Sequence, residues 1–208
     1  MTAQVRIFGT VISTYTRVVQ ITCEEIGLTH ETVPTPAQSD GNRHPFSKLP
    51  VVEIDGLELY ESTAITQYLD NAHNGGALQP NEPARRAVMD KWIANANNYL
   101  FPLFEHGLVM PWIMHRVAGF ELDEARIAKL LPNIARALSF CDGEIANDGA
   151  WTVGPFSLAD VFMYCVLRGV QLTPQGASGL NQCPSLLAWM ERMHERPSIR
   201  ATRWETED

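Results

Sequence analysis

The chain has 208 residues, 45% apolar and 19% charged, with 24 acidic against 16 basic side chains and a formal net charge of −8. That length holds one or two domains with a sizeable core. An acidic balance with no Lys/Arg cluster beyond Arg85 and Arg86 argues against nucleic-acid and anionic-membrane binding, and the lack of an apolar window of about eighteen residues argues against a transmembrane helix.

The chain opens with "QVRIFG", a β-like run ending at Gly9. "TYTRVVQITCEEIGL" follows, with Val18, Val19, Ile21, Cys23 and Ile26 at helical intervals and Gly27 as a stop. "HETVP" predicts a short second strand, halted by Pro34 and Pro36, and residues 35 to 45 are polar and loop-like. In "LPVVEIDGLELYES" two β-runs flank Asp55-Gly56, a strong hairpin signal. "STAITQYLDNA" is an amphipathic helix, and "HNGGALQPNEP" over residues 73 to 83 reads as a linker. Beyond it only helical patterns appear. "EPARRAVMDKWIANANNYLFPLF" is broken by Pro102 and, further on, Pro111. Pro132 forces a kink or a restart in "LDEARIAKLLPNIARALSFCDGEIAN". "SLADVFMYCVLRGVQL" is almost wholly apolar, as a buried central helix is, and "SLLAWMERMHERP" closes the set. The expected architecture is a small α/β domain over residues 1–76 followed by an all-α domain over 84–208.

The cysteines (Cys23, Cys141, Cys165, Cys183) form no CxxC pair, and the six histidines show no i, i+4 pair. No metal site is expected. Cys23, Cys141 and Cys165 fall in helical patterns and read as small buried apolar residues. The opening "MTAQVRIFGTV" does not read as a secretion signal, so the expected location is cytoplasmic.

Several short stretches carry two readings. Ser13, Thr14, Tyr15 and Thr16 crowd a strand-to-helix junction, where a hydroxyl can cap the helix or do chemistry. Pro50, before an apolar strand, is an edge-strand starter or a cis-proline that exposes the Leu49 backbone. Glu61 and Ser62 open a helix, where Ser62 caps the end or the end binds a carboxylate. Ser157 and Asp160 match a capping box and read as structural. Tyr99, Phe104 and Trp112 belong to an aromatic and Met set that packs as core or lines an apolar cleft beside the proline breaks.

Taken together, "GTVISTYTRVV", "HPFSKLPVVEIDGLELYESTAITQYL", the proline-containing linker and "FSLADV" in a helical second half resemble a cytosolic glutathione transferase of the serine-type subgroup (phi- or theta-like, or related bacterial). The resemblance is sharpest over residues 44 to 69, weaker over 9–19 and 154–161, and textural elsewhere. It implies a thioredoxin-like N-terminal domain and an all-helical C-terminal domain. By this likeness Ser13 falls on the catalytic serine and Arg17 on the arginine that follows it. Pro50 matches a cis-proline that leaves Leu49 to bind the cysteinyl part of glutathione. Glu61 and Ser62 match the pair holding its γ-glutamyl end, and Lys48 a further glutathione contact. Tyr15 is the rival to Ser13, since other subgroups use a tyrosine.

The chain departs from the family in having Thr14 where proline is common, and in a shortened 34–44 stretch that leaves the second helix truncated or absent. Asn42, Arg43 and His44 there carry no assigned role. The expected activity is attack of an activated glutathione thiolate on an apolar electrophile held near Tyr99, Phe104 and Trp112. The expected co-substrate is glutathione and the expected assembly a homodimer. The alternatives are another glutathione-dependent enzyme of the family (isomerase, dehalogenase or peroxidase) or a non-catalytic binding module.

Overall fold

A computed structural model describes residues 4–148, 151 and 156–204. Residues 154 and 155, at the edge of one matching stretch, lie outside the described residues. The chain divides into two compact units: the residues up to Arg86 together with those from His194, and Ala87–Met193.

In the first unit β1 (Gln4–Gly9), α1 (Thr14–Ile26), β2 (Thr29–Pro34), β3 (Val51–Ile54), β4 (Leu57–Tyr60) and α2 (Ser62–Asn74) follow one another. The sheet order is β2-β1-β3-β4, with β1 parallel to β2 and antiparallel to β3. β1 alternates as expected of a strand with one core face: Val5 and Ile7 are buried against Val19, Cys23, Val52, Ile54, Ile65 and Leu69. α1 ends at Gly27, which takes a left-handed conformation at φ 69° and lets Leu28 N–H reach the Cys23 carbonyl. The hairpin turns on Asp55 and Gly56, both at positive φ, as a type I′ turn requires. Between β2 and β3 the chain makes turns and no helix, so the second helix of the resemblance is absent.

The stretch read as a linker is tied down. Buried Asp70 accepts hydrogen bonds from Leu78 N–H (3.1 Å), Gln79 Nε2 (2.8 Å) and Asn74 Nδ2 (2.8 Å). The expected second domain took in everything from 84 to 208. The contacts instead put the final segment with the first unit. There α10 (Pro197–Ala201) packs on α1: Arg196 grips the Glu25 carboxylate at 2.9 and 2.7 Å, and Arg17 donates to the Ile199 carbonyl at 3.3 Å.

The second unit holds the rest of α3 (Pro83–Asn95), α4 (Phe101–Phe104), α5 (Met110–Ala118), α6 (Glu124–Asp148), α7 (Leu158–Gln171), α8 (Pro174–Leu180) and most of α9 (Pro184–His194). Pro102 and Pro111 do not break the helical path. A π-helical turn precedes each, Ala96–Leu100 and Glu105–Val109, and its wider ladder absorbs the missing N–H. α6 likewise runs through Pro132 as one helix. α7 is the buried centre expected from its composition, opened by a capping box in which Ser157 N–H and Oγ both reach Asp160 Oδ2. Trp189 Nε1 adds a bond to the same carboxylate at 3.3 Å. Trp151 lies between Trp92 and Trp189, ring centroids at 4.6 and 5.4 Å. α8 and α10 were not foreseen, although Thr173 capping Gly176 N–H with Pro174 in the first turn is a readable start signal.

Candidate active site

Strand register collects the candidate residues of the first unit. β1 ends at Gly9, and Phe8 pairs with Val51 at the start of β3. Val51 also pairs with Tyr60 at the end of β4. One end of the sheet therefore carries the β1–α1 turn with Ser13, the segment Lys48–Pro50, and Glu61–Ser62 at the start of α2. Both helix N-termini, with their unsatisfied N–H groups and positive dipole ends, belong to this same end.

Ser13 is the N-cap of α1. Its backbone is extended (φ −76°, ψ 120°) and its Oγ accepts the Thr16 N–H at 3.3 Å. A serine hydroxyl that accepts in a cap still has a proton to donate elsewhere. The neighbouring hydroxyls differ. Thr16 is wholly buried and lies over Gly9, where an added Cβ would meet its Oγ1 at 2.3 Å, so it packs the strand–helix corner. Thr14 and Tyr15 form the first turn of α1, half-buried. Arg17, one turn on, is 2% exposed, and its guanidinium faces α10 and, 5.6 Å away, the Trp204 ring.

Leu49 and Pro50 are joined by a cis peptide bond. Lys48 is exposed, and its carbonyl accepts Asn42 Nδ2 at 3.1 Å. Glu61, at φ 69°, occupies the capping position of α2 and makes no side-chain capping bond. Ser62 is therefore the first helical residue rather than the N-cap that its type suggests. Glu61 holds a conformation that a residue with a Cβ adopts at a cost of about 1–3 kcal/mol, a feature that concentrates at ligand-binding sites.

The aromatic set of the second unit is not brought together. Tyr99 is 69% exposed and lines a cavity of about 460 Å³ with Trp92, Leu100, Leu103, Arg136 and Phe140. Phe104 is 1% exposed, a core residue. Trp112 is half-buried on α5 with the Arg116 guanidinium 4.9 Å above its ring, and it does not line that cavity. Glu105, in the second π-turn, was passed over by sequence reasoning. Burial pushes its carboxyl up to about 7.

All four cysteines are buried, and desolvation raises Cys23 and Cys141 to about 12, so they are inert thiols. Among the described residues no group of His, Cys, Asp and Glu is placed to hold a metal, and no helix is long and apolar enough to cross a membrane.

Two family models match the chain: glutathione S-transferase, N-terminal domain, over residues 7–78, and glutathione S-transferase, C-terminal domain, over residues 100–197. Glutathione S-transferase 4 of Zea mays is 26% identical over 95% of this chain and 91% of its own length. Glutathione S-transferase GstB of Escherichia coli is 27% identical over 94% and 96%. A solved glutathione S-transferase-I bound with lactoylglutathione superposes with a TM-score of 0.83, at 25% identity, over 95% of this chain and 97% of that one.

Proposed function

The chain belongs to the glutathione S-transferase family, and we propose that Ser13 is the residue with which it activates the glutathione thiol. The carrying observation is that the Ser13 hydroxyl accepts, rather than donates, within its own helix cap. Its proton is thereby available to a sulfur bound beside the sheet end.

A thiol of ordinary pKa, about 8.5, is only a few per cent thiolate at neutral pH. A hydrogen bond donated to the sulfur favours the anion, and the positive end of α1 acts with the same sign. Lowering the pKa by about two units takes roughly 2.7 kcal/mol, within the range of a charge-assisted hydrogen bond and a dipole combined. The bound thiolate then attacks the electrophile: a carbon–sulfur bond forms from the sulfur lone pair, and the displaced group leaves with its bonding electrons.

The tripeptide would lie across the sheet end. Leu49, on the cis bond to Pro50, would meet the cysteinyl part through its backbone, and Lys48 would add a contact. Glu61 would take the γ-glutamyl amino group, while Ser62 and the first N–H groups of α2 would take its carboxylate. The supports are the register that aligns these residues and the strained φ of Glu61. The electrophile is an apolar small molecule in this reading. Of the three aromatic candidates, the exposure of Tyr99 beside a cavity suits contact with a ligand and the burial of Phe104 does not.

The working form is a cytosolic homodimer without metal, nucleic acid or membrane partner. Phe46, 73% exposed, is apolar surface suited to a partner chain, and Tyr60 lies nearby. Retention on immobilised glutathione, followed by turnover of a panel of electrophiles in native chain and Ser13→Ala, is the test. Full activity in Ser13→Ala with loss in Tyr15→Phe would transfer the role to Tyr15.

A further inference from the structure

The connection between β2 and β3, residues 35–50, has no helix, yet its polar groups form an ordered relay around His44. The Asn42 side chain spans the loop: Nδ2 donates to the Ala37 carbonyl (2.7 Å) and the Lys48 carbonyl (3.1 Å), and Oδ1 accepts His44 N–H (3.0 Å). The His44 carbonyl accepts Ser47 N–H (3.0 Å), with Ser47 at φ 52°. The His44 side chain is only 2% exposed. Its ring lies 5.0 Å from Tyr60 and 6.1 Å from Phe46, centroid to centroid.

The ring nitrogens have separate tasks. Nδ1 accepts the Phe46 N–H at 3.1 Å. In the neutral imidazole that acceptor role assigns the proton to Nε2. Nε2 lies 3.7 Å from Glu61 Oε1. That is beyond a direct hydrogen bond, so the N–H acts on the carboxylate as an oriented dipole from a desolvated wall. Glu61 itself is 69% exposed in its side chain.

We infer that His44 is a positioning residue for glutathione: the braced loop aims its Nε2–H at Glu61 and thereby holds the carboxylate that receives the γ-glutamyl end. The same Asn42 that orients the His44 backbone also fixes the Lys48 carbonyl, so one short loop sets both sides of the tripeptide site. This rests on the transferase reading above.

Calorimetry with glutathione tests it in five proteins: native chain, His44→Phe, His44→Gln, Glu61→Gln and the double variant of His44→Phe with Glu61→Gln. Phenylalanine keeps the ring packing against Tyr60 and removes both nitrogens. The expected result is a glutathione Kd about three- to five-fold weaker in His44→Phe, the scale of a partly exposed charge interaction. KM for glutathione should rise while kcat and the electrophile KM stay within two-fold or so, as for lost ground-state binding. In the Glu61→Gln background the histidine substitution should have no further effect, because the two act as one unit. His44→Gln, which keeps a donor, should restore most of the affinity. Unchanged Kd in His44→Phe, or full additivity with Glu61→Gln, overturns the positioning role even if the variant melts lower. A native chain that binds no glutathione overturns the transferase reading itself, and the inference with it.

Discussion

Among the described residues two helices, α1 and α7, have a serine as N-cap, and the two hydroxyls are bonded differently. Ser157, 1% exposed, opens α7 with its hydroxyl and N–H both directed at the buried Asp160, whose other oxygen accepts from Trp189. Ser13 opens α1 half-buried, its oxygen accepting from Thr16 N–H. At Ser157 the proton is spent on a carboxylate within the same turn. At Ser13 it is not used by the cap. The same local motif thus serves folding where a partner carboxylate is buried beside it, and in the proposed function serves chemistry where the turn faces the end of a sheet.

The contrast would be broken most directly at Ser13. Ser13→Ala should lower kcat/KM with glutathione by about two orders of magnitude, following a rise of about two units in the pKa of the bound thiol. Thiolate absorbance against pH measures that rise. The melting temperature should fall only as far as the loss of one cap, about 1 kcal/mol, requires.

Glu105 extends the contrast to carboxylates. Asp160 is raised by burial and pulled back by bonds from Ser157 and Trp189, whereas Glu105 is raised by burial alone, from 4.5 to about 7. The folded state holds the Glu105 proton more tightly than the unfolded chain. Its contribution to stability is therefore complete below about 4.5 and is lost as pH rises through about 7. Discounted for its partial exposure, the loss is about 2 kcal/mol. Denaturant midpoints of native chain and Glu105→Gln at pH 5 and pH 8 measure it, and the variant should show the flatter dependence.

Ser157→Ala should destabilise by about 1–2 kcal/mol while leaving the glutathione Kd unchanged, because its hydroxyl serves only the cap of α7. A folded Ser157→Ala that loses turnover would erase the distinction between the two serines. The smallest effect belongs to α2: Ser62→Ala should weaken glutathione about ten-fold, the low end for the loss of one hydrogen bond to a charged group. Calorimetry decides it, and an unchanged Kd would mean that no ligand carboxylate docks on this helix end.

Sequence alone determined the elements whose signals are local. Alternating burial in β1, the Asp55–Gly56 turn, the Gly27 stop and the Ser157–Asp160 box all act within about four residues, the reach of a turn or a cap. Resemblance placed Ser13, Pro50, Glu61 and Ser62 in order along the chain. Tertiary structure decided which hydroxyl has a proton to give, since that depends on what the fold sets opposite each one. It also decided that Ser62 is not a cap, because Glu61 takes a positive φ that no pattern of residue types announces. Buried Asp70 holding the supposed linker, His44 facing Glu61, and Arg17 reaching the Ile199 carbonyl 182 residues away are contacts of the same kind. Such pairs have no sequence periodicity, for they are fixed by packing between elements rather than by the preferences of either one.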